Sequence, residues 1–517
     1  MQSWLKGLPV VGRKPIPPYV YLVGAGPGDP GLLTMRAIEC LSIADTVIYD
    51  YLASSEMLAF APQARKIAVS DLPGEHPNRW PHIHERIVQE ALAGNVVVHL
   101  KGGDPSIFGR CAEEVAVLQA ANIPYEIVPG VTSASAASAY GEIPLTHRAH
   151  ASAVAFITGH EYPGKEDSHL SWEALAQFPG TLVVYMGVAR IASIAASLQQ
   201  FGKSPTTPVA VVQQASSGSQ RRLLTTLQTV ANEIQEQQFK APAIIFIGPA
   251  VGAATSPSWF ERKPLAGKKI LITRPAHQVG DLLRQLELAG AAPSHLPVLD
   301  IVPTNQAEVD REIRHIARGL YDGLIFTSRN TVDLFFARLR ALKYDARTLA
   351  KVQIASIGPA TTAALAEHNI SADITTHDES NSEALLELLR PIWQGKRILL
   401  PQAAEARTVL HDGLKAFAEQ VQPVVCYQQE VVLNPKSPVF AELRKGDFSH
   451  IHLMSGRTAE VFLAACDEEI LIHFRSGRTV LVANSARLYQ LLTEKGFVCL
   501  KTPHPQADGL LELLLGE

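Results

Sequence analysis

Tyr19 to Val23 is an apolar run that stops at Gly24-Ala25-Gly26-Pro27-Gly28-Asp29-Pro30, and a helical pattern resumes from Leu32. Strand, tight loop and helix form the repeating unit of an α/β sheet, and glycines in the loop let backbone approach a ligand without an intervening Cβ. Asp50 closes a second strand-like run, Thr46-Val47-Ile48-Tyr49, at the ~20-residue distance a dinucleotide fingerprint asks for. Against a phosphate cradle stand Pro27 and Pro30, which donate no N–H, and Asp29, whose charge opposes a pyrophosphate. The loop alone leaves open a nucleotide phosphate site, a structural turn, and a ligand held by loop backbone without a phosphate.

Composition narrows the class. A chain of 517 residues exceeds one hydrophobic core and implies roughly two to four domains. Its formal charge is −4 and no basic block occurs, which argues against a nucleic-acid partner. No apolar run approaches the ~20 residues of a membrane span. Residues 1–18 carry Lys6, Arg13, Lys14 and several prolines without an apolar core, and read as a leader rather than a signal peptide. Cys40, Cys111, Cys426, Cys466 and Cys499 lie far apart with no CxxC spacing. That pattern predicts buried thiols, no metal and a reducing cytoplasm.

Further strand-to-loop junctions follow. Val96–Leu100 runs into Lys101-Gly102-Gly103-Asp104-Pro105-Ser106-Ile107-Phe108-Gly109-Arg110. Tyr125–Val128 runs into Pro129-Gly130-Val131-Thr132-Ser133-Ala134, then Ile143-Pro144-Leu145-Thr146-His147-Arg148. Thr181–Tyr185 ends at Met186-Gly187. In this order, residues 19–252 resemble uroporphyrinogen-III C-methyltransferase of the tetrapyrrole methylase superfamily. The resemblance implies a two-lobed α/β methylase fold and S-adenosylmethionine as cofactor, released as S-adenosylhomocysteine. It places Pro27, Gly102, Gly103, Asp104, Ile107, Thr132, Ser133, Met186 and Ala215 around the cofactor and makes Asp50 catalytic, one loop over from Gly24–Asp29. Asp104 reads alternatively as a turn carboxylate capping the helix after Pro105, and Met186 as a core residue. The family's homodimer through this domain is expected too.

Residues 253–267, with Gly252-Ala253-Ala254-Thr255-Ser256-Pro257-Ser258 at their start, have linker composition. A fresh α/β pattern begins at 268: a strand at Lys269–Thr273, a helix over Gln278–Leu288, then strands near 323–326, 352–355, 397–400, 421–426, 450–453 and 480–482 separated by amphipathic helices. Ile272-Thr273-Arg274-Pro275, Phe326-Thr327-Ser328-Arg329-Asn330-Thr331, Ser356-Ile357-Gly358-Pro359-Ala360-Thr361 and Val425-Cys426-Tyr427-Gln428 make residues 268–517 similar to uroporphyrinogen-III synthase. That family implies two α/β lobes, here about 268–300 with 428–517, and 304–422, joined by a two-strand connector. It implies hydroxymethylbilane as substrate. Thr273, Arg274, Ser328, Asn330, Thr361 and Ser455 are expected at the substrate, and Tyr427 as the group assisting hydroxyl departure. The alternatives are a core tyrosine at 427 and plain helix caps at Ser328 and Ser455.

Together the resemblances imply a bifunctional enzyme. It would cyclise hydroxymethylbilane to uroporphyrinogen III and methylate that ring at C2 and C7 to precorrin-2, on the sirohaem or cobalamin branch, without metal. Two departures qualify the methylase half. Tyr51 stands where the family has arginine after Asp50, and the family's Gly-Lys-Arg segment is replaced by Ser70-Asp71-Leu72-Pro73-Gly74. Arg79, His76, His82 and His84 are the candidate substitutes for that lysine. An alternative reading keeps only the synthase active, with the methylase half a cofactor-binding or docking module.

Overall fold

A computed structural model describes residues 14–50, 56–73, 79–159, 170–376, 382–406, 408–504, 506 and 508–517, apart from the side chains of Ala276 and His277. Residues 1–13, Tyr51 and His76 lie outside the described residues. Contacts divide the chain into two units, Met1–Ile270 with Gly280–Ser294, and Leu271–Val279 with His295–Glu517.

The first unit opens with β1 (Tyr19–Gly24), β2 (Thr46–Tyr49), β3 (Arg65–Ala68), β4 (Val96–Lys101) and β5 (Tyr125–Val128). They form a parallel sheet in the order β3-β2-β4-β1-β5. Parallel strands covered on both faces read as continuous apolar runs, and β1 shows why. Tyr21 and Val23 pack with Ala37, Cys40 and Leu41 on one face, while Val20 and Leu22 pack with Ile83, Ile87 and Leu118 on the other. A second sheet contains β6 (Val154–Thr158), β7 (Thr181–Tyr185), β8 (Pro208–Gln213), β9 (Arg221–Thr226) and β10 (Ala243–Ile247), ordered β6-β7-β10-β8-β9. Only β6 and β7 run parallel there. The stretch of linker composition is seated on this unit: Phe260 and Leu265 are buried, and the Trp259 indole N–H donates to Ala139 O at 2.8 Å.

The second unit contains β11 (Lys269–Ile272), β12 (Ala292–His295), β13 (Leu299–Pro303), β14 (Gly323–Phe326), β15 (Gln353–Ile357), β16 (Ile374–Thr376), β17 (Arg397–Ala403), β18 (Gln420–Val431), β19 (His450–Leu453), β20 (Val480–Ala483) and β21 (Cys499–Lys501), β11 and β12 straddling the division by contacts. Two sheets result, β12-β11-β19-β20-β21 and β13-β18-β17-β14-β15-β16. Strand β13 runs antiparallel to β18, from Leu299 opposite Val431 to Pro303 opposite Tyr427. The helix expected over Gln278–Leu288 is instead two, Ala276–Val279 and Leu282–Leu288. Gly280 between them sits at φ +52°, a left-handed conformation that interrupts a helical ladder.

One buried charge cluster fixes the end of β4. Lys101 Nζ lies 2.5 Å and His99 Nδ1 3.0 Å from Glu114 Oε1 on helix Cys111–Ala120, with all three side chains almost wholly out of solvent. Burial opposes charging Glu114, but His99 and Lys101 outweigh it and hold the carboxyl down at about 2. Lys101 also lies 5.3 Å from the centre of the Trp80 ring. A folded-state value below the unfolded one means the unfolded chain binds more protons. The pair's stabilisation is therefore present above pH 4.5 and fades as pH falls towards 2. Glu114→Gln is expected to cost about 3–5 kcal/mol at pH 7, since Lys101 is left buried and unpaired. Urea unfolding of the first unit should show this cost, and the gap to wild type should close below pH 4.5. A gap constant with pH contradicts the ionised pair.

Candidate active sites

Three loops at neighbouring strand ends of the first unit touch backbone to backbone. Gly24 ends β1, Gly103 follows β4 and Gly130 follows β5. A Cβ on Gly24 would lie 2.6 Å from Gly130 N and 2.7 Å from Gly103 O, and one on Gly130 would lie 2.3 Å from Gly103 O. Gly26 N–H donates to Gly103 O at 3.1 Å and Gly103 N–H returns to Gly26 O at 2.8 Å. Asp104 ties the set together, Oδ1 accepting from Ser106 N–H at 2.7 Å and Oδ2 from Gly130 N–H at 3.0 Å. Its turn role is thus occupied by backbone, and each carboxylate oxygen keeps a further lone pair for a ligand.

The other expected cofactor residues sit on these loops and their neighbours. Pro27, Gly102 and Ala215 are half-buried, and Ile107 packs against the core below the second sheet. Ser133 starts helix Ser133–Gly141, and Thr132 Oγ1 lies 2.7 Å from the Tyr185 hydroxyl, which also accepts from Ala134 N–H at 3.3 Å. Met186 is 52% exposed at φ +54°, so it is not core. Phe108, Arg110, Gln214 and Ser216 share positive φ values. Non-glycine residues held there carry strain that concentrates at ligand sites. Tyr185, which sequence reasoning passed over, organises this end: its ring lies 5.0 Å from Phe108 and 5.7 Å from Phe156. The only sequence signal was its place at a strand end before Met186-Gly187.

Asp50 leaves β2 with its N–H donating to Leu100 O at 3.3 Å. Because β4 lies between β2 and β1, Asp50 stands beside the Gly102–Asp104 loop, not one loop from Gly24–Asp29 as the sequence order suggested. Where the family lysine would be, Asp71 is exposed and Leu72 packs against the core of Ile83 and Ile87. Lys66 turns away to Ala61 O and Ala64 O. His82 is half-buried, and burial, foremost, lowers the His84 pKa. Arg79 is half-buried at the start of helix Trp80–Leu92, and the guanidinium of Arg110 lies 4.5 Å from the Trp80 ring centre.

In the second unit Ser328 caps helix Arg329–Ala341 and Ser455 caps helix Gly456–Ala464, each accepting from a threonine N–H three residues on at 3.2 Å. Both serines therefore do act as caps. Ser328 Oγ also lies 3.3 Å from the Tyr427 hydroxyl, whose ring is buried among Phe326, Phe335 and Val424. Gln278 Nε2 donates to Asn330 Oδ1 at 2.8 Å. Thr273 is buried, its hydroxyl donating to His452 O at 2.6 Å. Next to it Arg274 is 5% exposed and donates to Gln506 O at 3.4 Å. Burial pulls the Arg274 pKa down to about 10, against Asp508, and burial with Arg274 pushes His452 down to about 3. Thr361 is buried in helix Pro359–Glu367, on the sheet that carries Ser328 and Tyr427 and apart from Thr273 and Arg274. Among the described residues no group of three or more His, Cys, Asp or Glu could hold a metal, and no helix is long and apolar enough to cross a membrane.

Strand-end loops without room for Cβ atoms mark the first α/β unit, and a serine-capped helix beside a tyrosine marks the second. Residues 19–231 match the tetrapyrrole (corrin/porphyrin) methylase family and residues 280–512 the uroporphyrinogen-III synthase family. The chain is 34% identical to the porphyrin biosynthesis protein HemD of Ruminiclostridium josui, over 96% of this chain and 98% of that one. It is 42% identical to uroporphyrinogen-III C-methyltransferase of Bacillus subtilis, over 65% and 69%. Uroporphyrin III C-methyl transferase from Thermus thermophilus, a solved structure, is 39% identical over 45% of this chain and 93% of that one, with a TM-score of 0.39. The chain belongs to the tetrapyrrole methylase family in its first half and to the uroporphyrinogen-III synthase family in its second, and is an enzyme of tetrapyrrole biosynthesis.

The glycine contact generates a direct expectation. Gly130→Ala should force the Gly103 and Gly24 loops apart, at about 1–3 kcal/mol of overpacking, and weaken S-adenosylmethionine binding measured by calorimetry. Unchanged stability and affinity would show that the loops do not need their close approach.

Proposed function

We propose that this chain carries out two consecutive steps: its second half closes hydroxymethylbilane to uroporphyrinogen III, and its first half methylates that ring at C2 and C7 to give precorrin-2. The carrying observation is the meeting of Gly24, Gly103 and Gly130, which leaves a backbone-lined surface flanked by exposed Met186 and Phe108. That lining suits a sulfonium and an adenine better than a phosphate, since Pro27 and Pro30 offer no N–H and Asp29 is already engaged. S-adenosylmethionine bound there supplies an electrophilic methyl group and leaves as S-adenosylhomocysteine. Pro27, Gly102, Gly103, Asp104, Ile107, Thr132, Ser133, Met186 and Ala215 would hold it. Asp50, at the strand end beside them, steers or takes the proton that the methylated ring carbon loses. Orientation of ring carbon against methyl group supplies much of the rate.

In the second half, Ser328 and Tyr427 form a hydroxyl pair at a helix N-terminus, a place suited to a departing hydroxyl and to carboxylates. Arg274, Thr273, Asn330, Thr361 and Ser455 would position the folded chain so that its last ring closes inverted. The same reading carries a homodimer through the methylase domain, a cytoplasmic setting and no metal. A second reading, a synthase with a methylase half that only binds or docks, is favoured by Asp71 and Leu72 at the family's lysine position.

Asp50→Ala should lower the rate of methylation by about 10²-fold or more while S-adenosylmethionine affinity stays within a few-fold. Equal methylation by wild type and variant removes Asp50 from catalysis. Tyr427→Phe should slow formation of uroporphyrinogen III roughly tenfold and raise the share of the spontaneous isomer I. A rate equal to wild type assigns Tyr427 to the core alone.

A further inference from the structure

Asp29 has a partner that its own loop does not supply. Its Oδ1 accepts from Gly31 N–H at 2.8 Å and from Arg284 Nη1 at 2.6 Å, its Oδ2 accepts from the Tyr140 hydroxyl at 2.9 Å, and its N–H donates to Ser216 Oγ at 3.3 Å. The Arg284 and Asp29 side chains are 16% and 14% exposed, so the pair is little screened. Arg284 lies on helix Leu282–Leu288, within Gly280–Ser294, which clusters with the first unit although the synthase family match begins at 280. Two glycines make room for this seating. A Cβ on Gly31 would lie 2.7 Å from Arg284 Nη2, and one on Gly218 would lie 1.8 Å from Ala291 O.

We propose that Arg284 is a positioning residue for methylation: by holding Asp29 it sets the Gly24–Pro30 loop against the cofactor, so that residues 280–294 are a working part of the methylase. This rests on the methylase reading above. The surroundings add a pH response. Glu287 Oε2 lies 3.4 Å from Arg284 Nη1 and faces Glu56, while Lys263 and Tyr140 also act on the Asp29–Arg284 pair. Burial first, then Glu56, pushes the Glu287 carboxyl up to about 8. A protonated Glu287 leaves the guanidinium to Asp29, and its ionisation as pH rises brings a competitor 3.4 Å from Arg284 Nη1.

The test uses the full chain, with S-adenosylmethionine affinity by calorimetry and methylation kinetics across pH 6.5–9.5. Arg284→Ala should weaken the Kd about tenfold and raise the KM for S-adenosylmethionine more than it lowers kcat. Arg284→Lys should recover part of this, and Arg284→Ala should add little in an Asp29→Asn background. Wild type should show that KM rising above about pH 8, and Glu287→Gln should flatten the rise. Wild-type affinity in Arg284→Ala, or an equal further loss in the Asp29→Asn background, overturns the proposal. Should Arg284→Ala not fold, Arg284→Lys and the pH profile decide, a flat wild-type profile counting against it. A wild-type chain that binds no S-adenosylmethionine refutes the methylase reading instead.

Discussion

The first unit depends on backbone being allowed to touch backbone where β1, β4 and β5 end. With Cβ distances of 2.3–2.7 Å, no other residue fits at Gly24 or Gly130 without moving a neighbouring loop. The hydrogen bonds between Gly26 and Gly103 and the Asp104 clasp then convert proximity into one fixed surface. Everything that faces this surface is positioned through it. Lys101 is anchored just before the loop by Glu114, Asp50 stands beside it across β4, and Asp29 is fixed on its far side by Tyr140 and Arg284. Phe108, Met186, Gln214 and Ser216 of the same unit are held at positive φ, a conformation that carries strain.

The second unit solves a different problem with a repeated device. Phe326-Thr327-Ser328-Arg329-Asn330-Thr331 and Leu453-Met454-Ser455-Gly456-Arg457-Thr458 each end a parallel strand and start a helix with a serine that binds the threonine three residues on. Only the first of these serines also meets a tyrosine hydroxyl. Inside this unit Gln278 with Asn330 links the segments that follow β11 and β14, and Arg457 with Glu405 at 3.4 Å links those that follow β19 and β17. Burial makes Arg274 costly to hold as a cation, and that cost is why its pKa falls although Asp508 opposes the shift.

The strand-to-loop junctions were legible because glycine and proline punctuate apolar runs, and a residue's place at a strand end follows from that pattern alone. So the loops at 24–30, 101–106 and 129–133 could be read from sequence, and with them the end of the sheet at which they gather. What the pattern does not carry is lateral order. Asp50 follows Gly24–Asp29 in sequence, yet β4 comes between them in space. Gly280 looked like an interior helix residue until its positive φ split the helix at 278–288. The contacts of Tyr185 and Arg284 were not readable for the same reason: their partners lie 53 and 255 residues away. The antiparallel pairing of β13 with β18 is likewise a contact between distant segments that no local periodicity reports.

On the proposed function, one chain both closes and methylates the ring. The most direct test supplies the purified full chain with hydroxymethylbilane and methyl-labelled S-adenosylmethionine and identifies the tetrapyrroles by mass spectrometry. The expected products are the type III ring without the cofactor and a ring carrying two labelled methyl groups with it. Formation of isomer I alone, or a type III ring that never gains label, would contradict it.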